Sequence, residues 1–470
     1  MTKLEKILFY AFLFLIPFQI RTTISWQGSE WDSIFLYLTD LLLIGFLFFT
    51  IINTKLKGLR FKKSDLFLAL FFVVAIFSVF ISSDKTTSIF HLIKLLEFIA
   101  LYIYIMYRKE FLGLEKILKI IVFSGIFQSI LAIAQFFKQS SLGLKFIEAG
   151  VYSPGAPGVA TFIMGSEKVM RAYGSFPHPN VLAAFLLLAI FCFYYLFLRD
   201  RFTGTSGKGV GTSGTRYPGI FPRLPDILIY FLLIFGLFLT FSRGPILVFL
   251  IMSMIFFLFR FFQLRQLSHI EERLLAGKRL MLLALFFVVF SILNTTVLMP
   301  YIKNRFFTIS LQEEAIDLRF FYNKIALAII KEKPLLGVGI GNFVNFSHNY
   351  PVFLKTANAM LSGGGQGDVE IPSWLYQPVH NIYLLIASEI GILGLIVFGI
   401  FLLFRLLGPA RFKNPMWFVF IGFLVLVLSD HYFWTLQSGG IIFWIALGLL
   451  ENPNYSKIQT ISNQIQNPNV

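Results

Sequence analysis

The sequence predicts an all-α polytopic membrane protein with one large polar insertion. Three observations carry that reading. Of 470 residues, 57% are hydrophobic and only 14% charged, more apolar surface than a soluble domain can hide. The apolar residues fall into long separate runs, near the roughly 20 residues that cross a hydrocarbon core. Lys and Arg crowd alternate connections between those runs, the pattern of cytoplasmic loops.

About twelve spans are expected, near 7–20, 34–53, 65–81, 89–107, 117–137, 180–198, 226–241, 245–262, 281–299, 380–404, 415–430 and 438–450. The first follows Lys3 and Lys6 as a signal peptide would. It lacks a small-residue cleavage site and reads as an uncleaved helix.

The basic loops set the orientation. Lys55, Lys57, Arg60, Lys62 and Lys63 share one loop, and Arg108, Lys109 and Lys116 another. Arg199, Arg201, Lys208, Arg216 and Arg223 follow, then Arg260, Arg265, Arg273, Lys278 and Arg279, then Arg405, Arg411 and Lys413. With twelve spans these all fall on the side of the N terminus, so both termini are expected in the cytoplasm. The net charge of +16 is thereby explained without nucleic acid.

The expected organisation is a single integral membrane domain over 1–470, with a large extracytoplasmic loop at 300–379 and a flexible cytoplasmic loop at 199–225. Gly-Thr-Ser-Gly occurs twice between Gly204 and Gly214, a linker composition. Ser362-Gly-Gly-Gly-Gln-Gly367 marks a second tip within the large loop. The lone Cys192 excludes an intrachain disulfide or a cysteine metal site. The six histidines are scattered along the chain, no acidic pair has a loop spacing that suggests Mg²⁺ ligation, and no Walker motif is present, so no metal or ATP site is expected.

The candidate chemistry sits at the edges of the polar loops. Arg319, Tyr322 and Ala326 share one face of an expected interfacial helix over 318–332, stopped by Pro334. Arg319 reads either as a snorkelling side chain or as a clamp forking onto phosphate oxygens. Gly337, Gly339 and Gly341 form an alternating glycine turn. It either presents amides to an anion or permits positive φ and close packing.

His380-Asn381 opens the tenth expected span. As one straight helix it would put His380, Leu384, Ala387, Gly391 and Gly394 on one face, with Glu389 opposite. His380 is a candidate base because imidazole titrates near neutral pH. Arg243, in the turn Ser242-Arg243-Gly244, is a second cation beside the hydrocarbon. Arg171 and Gly174-Ser-Phe-Pro-His178-Pro-Asn180 lie at the start of span six, where Asn180 suits a helix cap and His178 a structural role. Asp430-His431 offers an ion pair or relay.

These motifs together resemble the O-antigen ligase family and the superfamily it shares with O-antigen polymerases and protein O-oligosaccharyltransferases. The resemblance rests on Gly174-Ser-Phe-Pro-His-Pro-Asn180 and Phe241-Ser-Arg243-Gly244. It also rests on Arg319 followed by Pro334-Leu-Leu-Gly337-Val-Gly339, and on His380-Asn381 with Gly391-Ile-Leu-Gly394. Leu395 departs from the small residue or Tyr that often follows in the ligases, which leaves ligase versus polymerase open.

The resemblance implies a metal-independent glycosyltransferase of the GT-C type in the cytoplasmic membrane, with its active site facing outward and no cofactor. It implies a glycan donor on undecaprenyl pyrophosphate and a lipid or other envelope acceptor. His380 would be the base, and Arg319 and Arg243 would bind the pyrophosphate. Asn381, Gly391, Gly394, Asn180, Arg171, Gly337 and Gly339 would support the site. The rival from another class is a polysaccharide or lipid transporter, which should show paired repeats and broken helices.

Overall fold

The computed structural model describes residues 3–53, 62–199, 224–266, 270–307, 314–361, 371–407 and 414–450, and these are mostly helical. The first part of the bundle is α1 (Lys3–Leu15), α2 (Leu38–Asn53), α3 (Lys63–Ile81), α4 (Lys85–Leu112), α5 (Leu114–Lys138) and α6 (Pro179–Arg199). Then come α7 (Leu224–Leu239), α8 (Arg243–Arg265), α9 (Ile270–Val297) and the short α10 (Met299–Ile302). The 300–379 interval contributes α11 (Glu314–Glu332), α12 (Phe343–His348) and α13 (Pro351–Leu361). The chain closes with α14 (Ile382–Glu389), α15 (Gly391–Leu406), α16 (Pro415–Leu426), α17 (Tyr432–Thr435) and α18 (Gln437–Leu449).

Six of the described helices, α3, α4, α5, α6, α8 and α9, contain stretches long and apolar enough to cross a membrane. α2, α7, α15, α16 and α18 are apolar but shorter. The differences from the expected spans have local causes. The 34–53 run begins as a strand, and the 415–430 run ends at Leu426, before the polar turn at Asp430 and His431. The short α17 is separated from α18 by Leu436 alone and packs against it. The glycine-rich stretches at 204–214 and 362–367, and the basic residues 55–60 and 411–413, lie outside the described residues.

α6 is apolar on every side, and its residues from Val181 to Cys192 are almost wholly buried, so it forms the axis of the bundle. Outer helices leave Phe77, Phe80, Leu247, Leu258, Met281 and Val288 exposed. A bundle that is apolar inside and out is stable only with hydrocarbon around it. The chain is a multi-pass membrane protein.

The polar elements gather at one end. They include two antiparallel hairpins, β1 (Arg21–Ser25) with β2 (Ile34–Tyr37) and β3 (Thr161–Met164) with β4 (Glu167–Met170). α11 ends before Pro334 as expected, but it packs against α13 and α14. Phe321, Tyr322, Ile325, Phe353, Leu375 and Leu385 form a second small core there.

The expected straight helix over 380–404 is broken. α14 stops at Glu389, and Gly391 takes φ +88°, with the Leu335 carbonyl pressed where a Cβ would stand. The break frees carbonyls that must be satisfied inside the bundle. Val338 and Gly339 donate to the Ser388 and Glu389 carbonyls, both at 2.9 Å, and Ile392 donates to the Pro334 carbonyl at 2.8 Å. The common face expected for His380 and Gly391 is therefore lost. Gly391 is a hinge for the backbone. Gly337, Gly339 and Gly341 all have positive φ: Gly337 lies against the Ser388–Glu389 backbone at the break, while Gly339 and Gly341 press against Ser82 and His91. The Gly339 amide is spent on the break, which fits the close-packing reading of the glycine turn.

Candidate active site

The turn before α6 is held from beneath by α5. Gln135 Oε1 accepts from the Tyr173 and Gly174 amides at 3.1 and 2.7 Å, and Gln128 Oε1 accepts from the Ser175 amide at 2.8 Å. Gly174, at φ +59°, lets the chain pass over Gln128. Arg171 is thereby buried and directed at the α7–α8 turn. Its Nε donates to the Thr240 carbonyl at 2.7 Å, and its Nη2 donates to Asn180 Oδ1 at 2.7 Å and Ser242 Oγ at 2.8 Å. Phe241 takes a left-handed φ of 46°, a costly conformation for an aromatic residue, and sets Ser242 and Arg243 at the helix start.

Arg243 Nε donates to the Arg305 carbonyl at 2.8 Å. Arg305 lies in a single π-helical turn over Lys303–Phe307, a type of distortion that often marks function. Burial, with the charges of Arg305 and Arg243 added, pushes the Arg171 guanidinium down to about 9, so it stays cationic at neutral pH. Three guanidiniums therefore share one field, which favours an anion.

Asn180 joins this cationic group to the imidazoles. Its Nδ2 donates to Asp430 Oδ2 at 2.6 Å. Asp430 Oδ1 accepts from the His431 amide at 2.8 Å and stands 3.9 Å from His380 Nδ1. The His380 and His431 rings meet edge to face at 4.7 Å between centroids. His431 Nδ1 lies 2.7 Å from Thr435 Oγ1. Asn381, beside His380, caps α14 by accepting from the Tyr383 and Leu384 amides at 3.0 and 3.2 Å. Gly394 lies in α15, close under the Ile390 side chain.

Tyr322, one turn beyond Arg319 on α11, places its ring 5.9 Å from that of His380 and donates to the Leu375 carbonyl at 2.7 Å. Tyr322 and Ala326 are fully buried, so the face they share with Arg319 turns inward. Arg319 Nε is buried with no hydrogen-bond partner among the described residues. It is close enough for its charge to act on His380.

Burial holds His380 below the ordinary imidazole range; Asp430 opposes the shift and Arg319 adds to it. Such a group is neutral near pH 7 and free to accept a proton. Burial would raise Asp430, but the His431, His380 and His178 imidazoles and the Asn180 hydrogen bond outweigh it and hold the carboxyl below its usual range. Burial and Arg171 push His178 down to about 3, and its Nδ1 accepts from the Asn180 amide at 3.1 Å. Burial and His380 push His431 down to about 3.

The histidines that look scattered along the chain are thus partly gathered in space. His380, Asp430 and His431 offer ligand atoms within 4.8 Å of one another, a set that could hold a metal ion. In sequence His380 is too far from Asp430 and His431 for spacing to show such a set. Both Asp430 oxygens and His431 Nδ1 already have protein partners, which leaves the remaining imidazole nitrogens for any ion. Arg305 was not singled out from sequence, where it is one of several cations in a mixed-charge loop. Asp430 pairs there only with its neighbour His431, as an ion pair or relay; the fold adds Asn180 and His380 to it.

Residues 228–399 match the family model described as O-antigen ligase. The matched stretch holds Arg243, Arg305, Arg319 and His380; Arg171, Asn180 and Asp430 lie outside it. No curated protein matches the chain.

Proposed function

We propose, for a chain carrying an O-antigen ligase domain at residues 228–399, that it transfers a glycan from undecaprenyl pyrophosphate to a hydroxyl of a cell-envelope molecule. The observation that carries this reading is the Asn180–Asp430 hydrogen bond, because it couples a cationic group to a neutral, buried imidazole. The helices form a GT-C-type bundle of about twelve crossings in the cytoplasmic membrane, with the polar end outward.

His380 takes the proton of the acceptor hydroxyl as its oxygen attacks the anomeric carbon. The bond from that carbon to the pyrophosphate oxygen breaks, and the lipid pyrophosphate leaves with the electron pair. Attack opposite the leaving group inverts the anomeric centre. Arg319 and Arg243 bind the pyrophosphate and stabilise its growing charge, with Arg305 and Arg171 adding to the field. Asp430, 3.9 Å from His380 Nδ1, favours through its charge the imidazolium that forms, while Asn180, itself held by Arg171, holds Asp430 in place. With this much fixed positive charge, the chemistry does not require a metal.

The test is the envelope glycan of a deletion strain against wild type. Loss of attached glycan with accumulation of lipid-linked polymer supports the ligase reading. Accumulation of single lipid-linked repeat units assigns a polymerase, and loss of glycan from protein a protein glycosyltransferase. Unchanged glycans with a lipid substrate stranded on one leaflet would mean a transporter. The broken α14–α15 helix is a feature transporters share, but the buried base and cations favour chemistry.

A further inference from the structure

A second polar site lies beneath the β1–β2 hairpin. It is a cavity of about 70 Å³ whose lining includes Arg21, Glu30, Trp31, Tyr37, Lys94 and Gln437. One water needs about 10–15 Å³ of such space, so the cavity has room for several waters or for the hydroxylated edge of one small ring. Its floor is unusual. Lys94 lies within the apolar α4, where an ionisable group is costly and is a functional candidate by default. It is buried and paired with Asp40 and Glu97, and Gln437 Nε2 donates to Asp40 Oδ1 at 2.5 Å. At the mouth, partly exposed Arg21 pairs with Glu30 and lies over the Phe35 ring at 4.0 Å.

Arg21 and Lys94 face Glu30, Asp40, Glu97 and the lining Glu389, so cations do not dominate the site, unlike the group around Arg171. The cavity has little to attract pyrophosphate. It offers donors, acceptors and aromatic walls together, which suits a neutral ligand rich in hydroxyls. It also abuts the imidazoles. Thr435 lines it and bonds His431, and Trp31 meets the His431 ring edge to face at 5.1 Å. Arg243 and Arg305 stand at the opposite end of the same chain of contacts, beyond Ser242, Asn180 and Asp430.

We infer that this cavity is the acceptor subsite, holding a neutral sugar whose hydroxyl faces His380 while the donor pyrophosphate occupies the arginine side. The inference rests on the transferase reading, so its test needs one arm without chemistry. In nanodiscs, the full-length double variant Arg21→Ala/Glu30→Gln should raise the KM for the acceptor roughly 10-fold, about the worth of one lost charge-assisted hydrogen bond. The KM for the lipid-linked donor should stay within about two-fold. Separately, titration with glucose, galactose and N-acetylglucosamine should give the wild type a saturable tryptophan fluorescence change. That change should vanish in the double variant and persist in Arg319→Ala. Absence of any saturable sugar response, or a rise in donor KM instead of acceptor KM, overturns the subsite. Sugar binding in a protein that performs no transfer keeps the subsite and removes only the transferase reading.

Discussion

Asn180 donates its side-chain amide to Asp430 at 2.6 Å across 250 residues of sequence. The same Asn180 accepts from Arg171 and Ser242 through its other atom. One side chain thus connects the α6 start, the α7–α8 turn and the α16–α17 turn. Asn180→Ala should remove all three contacts and reduce turnover roughly 10-fold or more, in the range reported for lost orienting partners. Asn180→Asp would set a second carboxyl against Asp430 and should be worse than Ala. Equal, near-normal rates for both variants would show that Asp430 needs no such support.

Asp430→Asn has a signed pH consequence. Asp430 raises the His380 pKa against the stronger effect of burial. Removing its charge should lower that pKa further, so the acidic limb of the kcat profile should move to lower pH while the plateau falls. Arg319 acts oppositely, and Arg319→Ala should move the limb to higher pH. Limbs that stay in place would separate His380 from the observed ionisation.

Arg319→Ala should weaken donor binding and slow chemistry together, because pyrophosphate is charged before and during transfer. Arg319→Lys should recover only part, since an ammonium cannot fork onto two oxygens. Donor affinity and rate both unchanged would shift the pyrophosphate toward Arg243 and Arg305.

Excess chelator should leave most of the transfer rate intact, because the arginines supply the fixed positive charge. Collapse of the rate, with recovery on Mn²⁺ or Zn²⁺, would make His380, Asp430 and His431 metal ligands.

The polar end should face outward. Ser347 is buried and a poor reporter, whereas Ser153 and Asn349 are exposed. Cysteines at those two exposed positions should react with an impermeant maleimide in spheroplasts, and one at Lys116 only after lysis. The reverse pattern would invert the topology; buried Cys192 adds no background.

Much of this was legible in the sequence, but in pieces. Hydropathy marks the helices, because a bilayer demands apolar length. Arg319 and His380 stand out as charged or titratable groups beside apolar runs. The break at Gly391 was not legible, because helical periodicity cannot show that the Pro334–Gly339 loop supplies the missing hydrogen bonds. Asp430 and Asn180 could not be paired, since nothing local joins residues 250 positions apart. Lys94 and Asp40 did carry a signal: each is a charge inside an expected span.

In the proposed reaction His380 is the base. The most direct measurement is turnover and donor affinity of purified His380→Ala against wild type. Turnover should fall roughly 10²- to 10⁴-fold, the usual worth of a general base, while donor binding stays nearly intact. Near-normal turnover in His380→Ala would contradict the account and leave His380 a structural residue packed against His431.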